Sequence, residues 1–158
     1  MKADSTVTEA RILVVDDEES VVLLLERMLR QDGYTNVVST TDPRQALPLF
    51  ETFRPDLLLL DVMMPYLGGF EVLEELKPHM SQGTHVPTMI ITADVSGDVK
   101  RRALVAGVDD FVTKPFSLNE VLMRVRYLLE TRIRRLAAAQ EQELQVIHKV
   151  ETRQSIRV

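Results

Sequence analysis

Five short apolar runs punctuate the chain, and each is followed by a stretch whose apolar positions recur with helical spacing. "RILVVDDE" is a strand that ends in acids. "ESVVLLLERMLRQDGY" follows as a helix and stops at Gly33, a residue suited to closing a helix. "NVVST" is the second strand and the weakest of the set. "DPRQALPLFETF" reads as a helix opened by Asp42 and Pro43, a cap followed by a first-turn proline. Pro48 is expected to shorten or kink that helix. "PDLLLLD" is the third strand, apolar on both faces as a strand covered by helices on either side must be. "GGFEVLEELKPHM" is a helix after a Gly68-Gly69 loop, "SQGTH" a loop, and "VPTMIITAD" the fourth strand. "SGDVKRRALVAG" is a helix closed by Gly107, "DDFVT" the fifth strand, and "KPFSLNEVLMRVRYLLETRI" the start of a long helix.

A β-α alternation repeated five times predicts an α/β fold: a five-stranded, parallel, doubly wound sheet with helices on both faces. Residues 1–10 are polar and are expected to be disordered. Residues 11–130 form the main domain, and 131–158 a helical extension or linker. The chain of 158 residues needs no disulfide support and has no cysteine, which excludes thiol chemistry and cysteine-based metal sites. MKADSTVTEA lacks the apolar centre of a secretory signal, and no run approaches the length of a membrane span. The expectation is a soluble, cytoplasmic protein with no membrane partner.

Charge divides unevenly. Residues 1–130 hold 13 Lys/Arg and 21 Asp/Glu, whereas 131–158 hold 6 and 3, so a body at −8 carries a tail at +3. An acidic body disfavours binding to a phosphate backbone, which argues against nucleic acid as a partner for the main domain. The basic tail reads as a solvated helix face rather than a surface for nucleic acid or anionic lipid.

The strand ends carry the chemistry. Strand one ends in Asp16, Asp17 and Glu18, strand three in Asp61, strand four in Thr92, and strand five is followed at once by Lys114-Pro115. In a doubly wound sheet these ends share one crevice. Crowded carboxylates need a counter-charge, and oxygen ligands without Cys or a nearby His favour a hard cation, Mg²⁺ above all. Carboxylates, a cation, an ammonium and a hydroxyl together suit phosphoryl transfer, with a carboxylate nucleophile forming an aspartyl phosphate.

With "VVDDE", "PDLLLLDVMMP" before Gly68-Gly69, "TA" at Thr92-Ala93, "AGVDDF" and "KPF" in this order, residues 11–130 resemble the receiver domain of two-component response regulators. The resemblance implies a flavodoxin-like (βα)5 fold. It implies Asp61 as phosphoacceptor, Asp17 as a direct Mg²⁺ ligand, Asp16 acting mostly through water, and the Met63 backbone carbonyl as a further ligand. Lys114 would pair with the phosphoryl group, Thr92 would follow it, and Phe111, where a tyrosine is common, would turn inward behind it. The Lys114-Pro115 bond would be cis, and Ala93 would leave room for a phosphodonor. The partner would be a histidine kinase or phosphotransfer protein, and the chain a switch rather than an enzyme with a separate substrate.

Other polar residues take plainer readings. Glu18 suits the dipole of the first helix turn. Asp56 and Asp109 start strands, His79, His85 and His148 lie on the surface, and Met63 and Met64 pack. The resemblance puts the Met63 side chain where an attacking water would pass. Met63 cannot hold a water strongly and Asp94 can repel or orient one, so self-dephosphorylation is expected to be slow or intermediate.

The last helix is expected to run from about Ser117 to about residue 150, about 50 Å at ~1.5 Å per residue. Its apolar positions are Leu122, Val125, Leu129, Ile133, Leu136, then Gln140, Leu144 and Ile147, an eleven-residue repeat that predicts a nearly straight seam. A homodimer through a parallel two-chain coiled coil is the favoured reading. An unpaired tail and a linker to an output domain outside this chain stay open. Two readings compete with the switch. A Mg²⁺-dependent phosphohydrolase ordinarily has a second carboxylate two residues after its nucleophile, where this chain has Met63. A scaffold with a vestigial site conflicts with the complete residue set.

Overall fold

The computed structural model describes residues 5–80 and 85–157. Strands β1 (Arg11–Val15), β2 (Asn36–Thr40), β3 (Leu57–Leu60), β4 (Thr88–Thr92) and β5 (Asp110–Thr113) form one parallel sheet in the order β2-β1-β3-β4-β5. The helices are α1 (Ser5–Thr8), α2 (Glu19–Gln31), α3 (Ala46–Phe53), α4 (Gly69–Leu76), α5 (Gly97–Ala106) and α6 (Leu118–Ser155). Alternate strand residues feed two cores. Ile12, Val14, Leu57, Leu59, Met89, Ile91 and Val112 pack with α2 and the start of α6. Leu13, Val15, Leu58, Leu60 and Ile90 pack with α3, α4 and α5. The expected doubly wound fold is therefore present, with the long final helix.

Acids at the start of strands fasten neighbours together. Asp56 accepts from the Arg11 N–H at 2.8 Å, and Asp109 from the Thr88 N–H at 2.9 Å. His85 meets Asp109 at 2.8 Å, and His79 meets Glu51 at 3.0 Å. The first helical half of α6 is clamped at this same end, because Arg132 donates to Asp56 at 3.3 Å and to the His85 carbonyl at 2.6 Å.

One expectation is corrected. Residues 1–10 are not loose throughout: Ser5–Thr8 is helical, Val7 and Ala10 are buried, and the Asn36 side chain donates to the Glu9 carbonyl at 2.8 Å. Residues 1–4, and positions 81–84 of the loop expected at 81–85, lie outside the described residues. The helix is short, as Pro48 led one to expect: a 3₁₀ turn (Pro43–Gln45) precedes α3 and leaves Pro48 in the first α-helical turn. A proline there forgoes an N–H that would have no intrahelical partner.

The final helix begins at its Ser117 cap, whose hydroxyl accepts from the Glu120 N–H at 3.5 Å. Val121, Val125, Leu128 and Leu129 are buried against the sheet, with Leu122 and Ile133 packed beside them. Beyond Leu136 every described residue is exposed, including Leu144, Ile147 and Val150. The apolar seam thus serves the main domain over its first half and faces solvent over its second.

Candidate functional site

The strand order reverses between β1 and β3, and the crevice at such a switch point is where open α/β sheets place their sites. The three main polar residues stand one step past their strands, yet each is still held by the next strand. The Asp16 N–H donates to the Thr40 carbonyl at 3.2 Å, Asp61 to Val15 at 3.0 Å, and Lys114 to Thr92 at 2.8 Å. The sheet ladder therefore fixes the backbone from which each side chain projects. Gly69 tightens the frame further: its N–H donates to the Val62 carbonyl at 3.1 Å, so the start of α4 lies directly on the backbone after Asp61.

At the centre lies the Lys114 ammonium. It is 2.9 Å from Asp16, 3.0 Å from Glu18 and 3.1 Å from Asp61. Asp16 and Asp61 are buried, and Glu18 sits on the rim. Burial disfavours the Lys114 charge, but its hydrogen bonds to the three carboxylates outweigh that and raise its pKa far above the usual lysine range. It is an ammonium at any pH the fold meets. Burial acts the other way on Asp16 and raises its pKa, against the lowering effect of Lys114 and of the Glu18 N–H.

Acceptor oxygens of Asp16, Glu18 and Asp61 all lie within 4.8 Å of one another. Formally three negative charges meet one positive charge, through oxygen alone. That donor set and that charge deficit fit a hard divalent cation. Asp17, expected as a direct ligand, is partly exposed and stands outside this triad. Glu18 completes the cluster in this structure through its ion pair with Lys114, 3.0 Å away. Its N–H donates to Asp16 at 2.9 Å, which folds the loop back and brings its side chain to Lys114. The acid triplet after β1 was the only sequence signal for this, and the helix-dipole reading of Glu18 missed it.

The remaining expected residues surround this centre. Thr92 ends β4 fully buried, and its hydroxyl accepts from the Asp94 N–H at 3.3 Å. Phe111 is half-buried against the core that contains Leu60 and Ile90. Met63 is 60% exposed, and its N–H donates to Asp61 at 3.1 Å. Ala93 is exposed at the mouth, and the Lys114-Pro115 bond is cis. Asp94 turns toward its own loop, accepting from the Ser96 N–H at 2.9 Å, and that bond holds its pKa below the ordinary carboxylate value.

A parallel five-stranded sheet with acids and a lysine at its switch point defines a phosphoacceptor-type signalling domain. The family description "Response regulator receiver domain" matches residues 12–126, and the chain belongs to that family. It is 44% identical over 119 residues to the alkaline phosphatase synthesis transcriptional regulatory protein PhoP of Bacillus subtilis, covering 75% of this chain and 48% of that protein. It is 45% identical over 119 residues to the response regulator MprA of Mycolicibacterium vanbaalenii, covering 75% and 50%. The chain thus spans about half the length of the curated relatives it matches. Among solved structures it resembles the Francisella response regulator 1452 receiver domain (TM-score 0.69, 31% identity, 78% of this chain and 98% of that one). It also resembles the Vibrio cholerae chemotaxis protein CheY4 (TM-score 0.70, 28% identity, 76% and 98%). No helix among the described residues is long and apolar enough to cross a membrane.

Proposed function

We propose that the chain is a phosphorylation-controlled switch that takes a phosphoryl group from a histidine kinase, or a phosphotransfer protein, onto Asp61. The observation that carries this reading is the meeting of Asp16, Asp61 and Lys114 at the switch point, with Lys114 3.1 Å from Asp61. An Asp61 carboxylate oxygen attacks the phosphorus, an O–P bond forms, and the N–P bond to the donor imidazole breaks. The freed imidazole takes its proton from solvent. Lys114 supplies a fixed positive charge beside the phosphoryl oxygens, in a buried place where charge acts strongly. Asp16, Asp17, Asp61 and the Met63 carbonyl would hold Mg²⁺, which adds positive charge against the same oxygens when bound.

The switch then works through position. Thr92 gives up its bond from Asp94 and donates its hydroxyl toward the phosphoryl group, and Phe111 follows into the space behind it. The Phe111 ring can move and pack but offers no hydroxyl to a partner. The change leaves the domain along α6, through a homodimer paired by its exposed half or through an output domain or partner outside this chain. We place the protein in the cytoplasm, and its only catalysis is of its own phosphorylation and dephosphorylation.

Incubation with acetyl phosphate and Mg²⁺, read by intact mass, tests this. One added phosphoryl group in the natural chain and none in Asp61→Asn is the expected result. Equal labelling of the two would sink the assignment. Light scattering with and without beryllofluoride tests the pairing of α6, and a monomer in both states would remove the homodimer.

A further inference from the structure

An ammonium has three N–H donors. In this structure the Lys114 ammonium faces three carboxylates, Asp16 at 2.9 Å, Glu18 at 3.0 Å and Asp61 at 3.1 Å. A phosphoryl group arriving on Asp61 brings new oxygens to the same spot. Lys114 meets one of them only by giving up a present partner. Asp16 and Asp61 are each 3% exposed at the side chain, whereas Glu18 is 56% exposed. A buried carboxylate that loses its counter-charge suffers heavily, while one on the rim returns to water at little cost. Glu18 is therefore the partner that leaves.

Local structure explains why Glu18 reaches the lysine at all. It occupies the N-cap of α2, with its carbonyl accepting from the N–H groups of Val21 and Val22. Its side chain makes no cap bond to the helix. The turn closed by the Asp16 carboxylate on the Glu18 N–H, at 2.9 Å, aims that side chain across the crevice instead.

We propose that Glu18 is a positioning residue that restrains Lys114 in the resting state, its carboxylate competing with the incoming phosphoryl oxygens for one N–H of the ammonium. This rests on the reading of Asp61 as the phosphoacceptor. Two substitutions separate the bond from the charge. Glu18→Gln keeps the shape and weakens the bond by removing the charge. Glu18→Asp keeps the charge but is one methylene shorter, and at an N-cap its carboxylate has helix N–H groups to accept instead.

The experiment measures beryllofluoride affinity at saturating Mg²⁺, and Mg²⁺ affinity alone, from backbone amide shifts of the full chain. Both variants are expected to bind beryllofluoride about three- to fivefold more tightly, the scale of an exposed ion pair, at unchanged Mg²⁺ affinity. Variants that bind like the natural chain overturn the proposal. So does tighter binding by Glu18→Gln alone, which would make the effect one of charge. A loss of Mg²⁺ affinity in Glu18→Gln also overturns it, by making Glu18 a metal-holding residue. Failure of the natural chain itself to bind beryllofluoride removes the phosphoacceptor reading, and this proposal with it.

Discussion

Gly69 and Gly97 occupy the same place in their helices, the first residue after the N-cap, and differ in what lies beside them. A Cβ on Gly69 would stand 2.1 Å from the Asp61 carbonyl oxygen and 2.7 Å from Val62 Cα. A Cβ on Gly97 would meet nothing within 4 Å. Ordinary contact begins at 3.4 Å, so Gly69→Ala forces α4 and the Asp61–Val62 backbone apart by about 1 Å, with no side-chain rotation to absorb it. Overpacking of this kind costs about 1–3 kcal/mol. Alanine also restricts the unfolded chain, which offsets about 0.4–1 kcal/mol at both positions. Gly69→Ala is therefore expected to lose about 1–2 kcal/mol and Gly97→Ala to gain up to about 1 kcal/mol. Urea unfolding of the two variants side by side reads the difference, since each controls for the helix position of the other. Because the displaced backbone is that of Asp61, the proposed phosphoacceptor, labelling by acetyl phosphate is expected to slow in Gly69→Ala and not in Gly97→Ala. Stabilities that agree within about 0.5 kcal/mol would refute the close-approach argument.

Asp16→Asn is expected to stabilise the metal-free fold at neutral pH. Burial raises the Asp16 pKa in the folded state, so the folded chain favours the protonated group and the acid's contribution is lost as pH rises through that pKa. The gain from asparagine is expected to vanish below pH 3.8, where the acid is already neutral in both states; a gain that persists there would contradict the cause given. Arg132→Ala removes the bonds to Asp56 and the His85 carbonyl, and is expected to cost about 1–2 kcal/mol in urea unfolding, whereas an unchanged midpoint would mean the clamp contributes nothing. Met63→Asn puts a group able to hold water at an exposed position at the mouth of the site, so the phosphorylated chain is expected to decay faster, as followed by intact mass over time. A natural chain that already decays in seconds, shortened no further by Met63→Asn, would count against the reading.

The central strands were legible because a parallel strand covered on both sides must be a continuous apolar run, and Leu57–Leu60 and Thr88–Thr92 are buried along their whole length. Asp61 and Thr92 were legible for the same reason: they are the first polar residues where those runs stop, and Lys114 follows β5 at once. What escaped the sequence depends on distance rather than on pattern. Glu18 reaches Lys114, 96 positions away, only because the Asp16 carboxylate turns the loop back. Arg132 finds Asp56 across 76 positions, and nothing in either residue's surroundings announces the pair. The α1 turn was missed because it is a polar segment with one apolar side chain, Val7, whose burial needs a surface supplied by the rest of the fold. The start of α3 was not legible because helix periodicity alone does not show where a 3₁₀ turn gives way to an α-helix.

In the proposed switch the two halves of α6 act as one lever. Its 38 residues contain no glycine or proline, so nothing in the sequence invites a kink where the helix leaves the sheet. The proximal half is seated by Val121, Val125, Leu128 and Leu129, and Arg132 holds the point of departure to Asp56 and to the carbonyl of His85. Beyond Leu136 the helix continues to Ser155, a further ~28 Å at about 1.5 Å per residue. A stiff rod of that length turns a tilt of roughly 10° at its base into a displacement of about 5 Å at its tip, close to one helical turn. The distal apolar positions Leu144, Ile147 and Val150 would be carried by that displacement from one set of neighbours to the next. A motion at Phe111, which packs on the opposite face of the sheet from the seat of α6, must pass through β5 to tilt the rod. Val112, the next residue along β5, points into the core that seats α6, so the strand itself joins the two faces. For the proposed switch the route from site to helix is therefore short, and loosening the seat at Val112 or Val125 is expected to uncouple the tip of α6 from Asp61 without touching either.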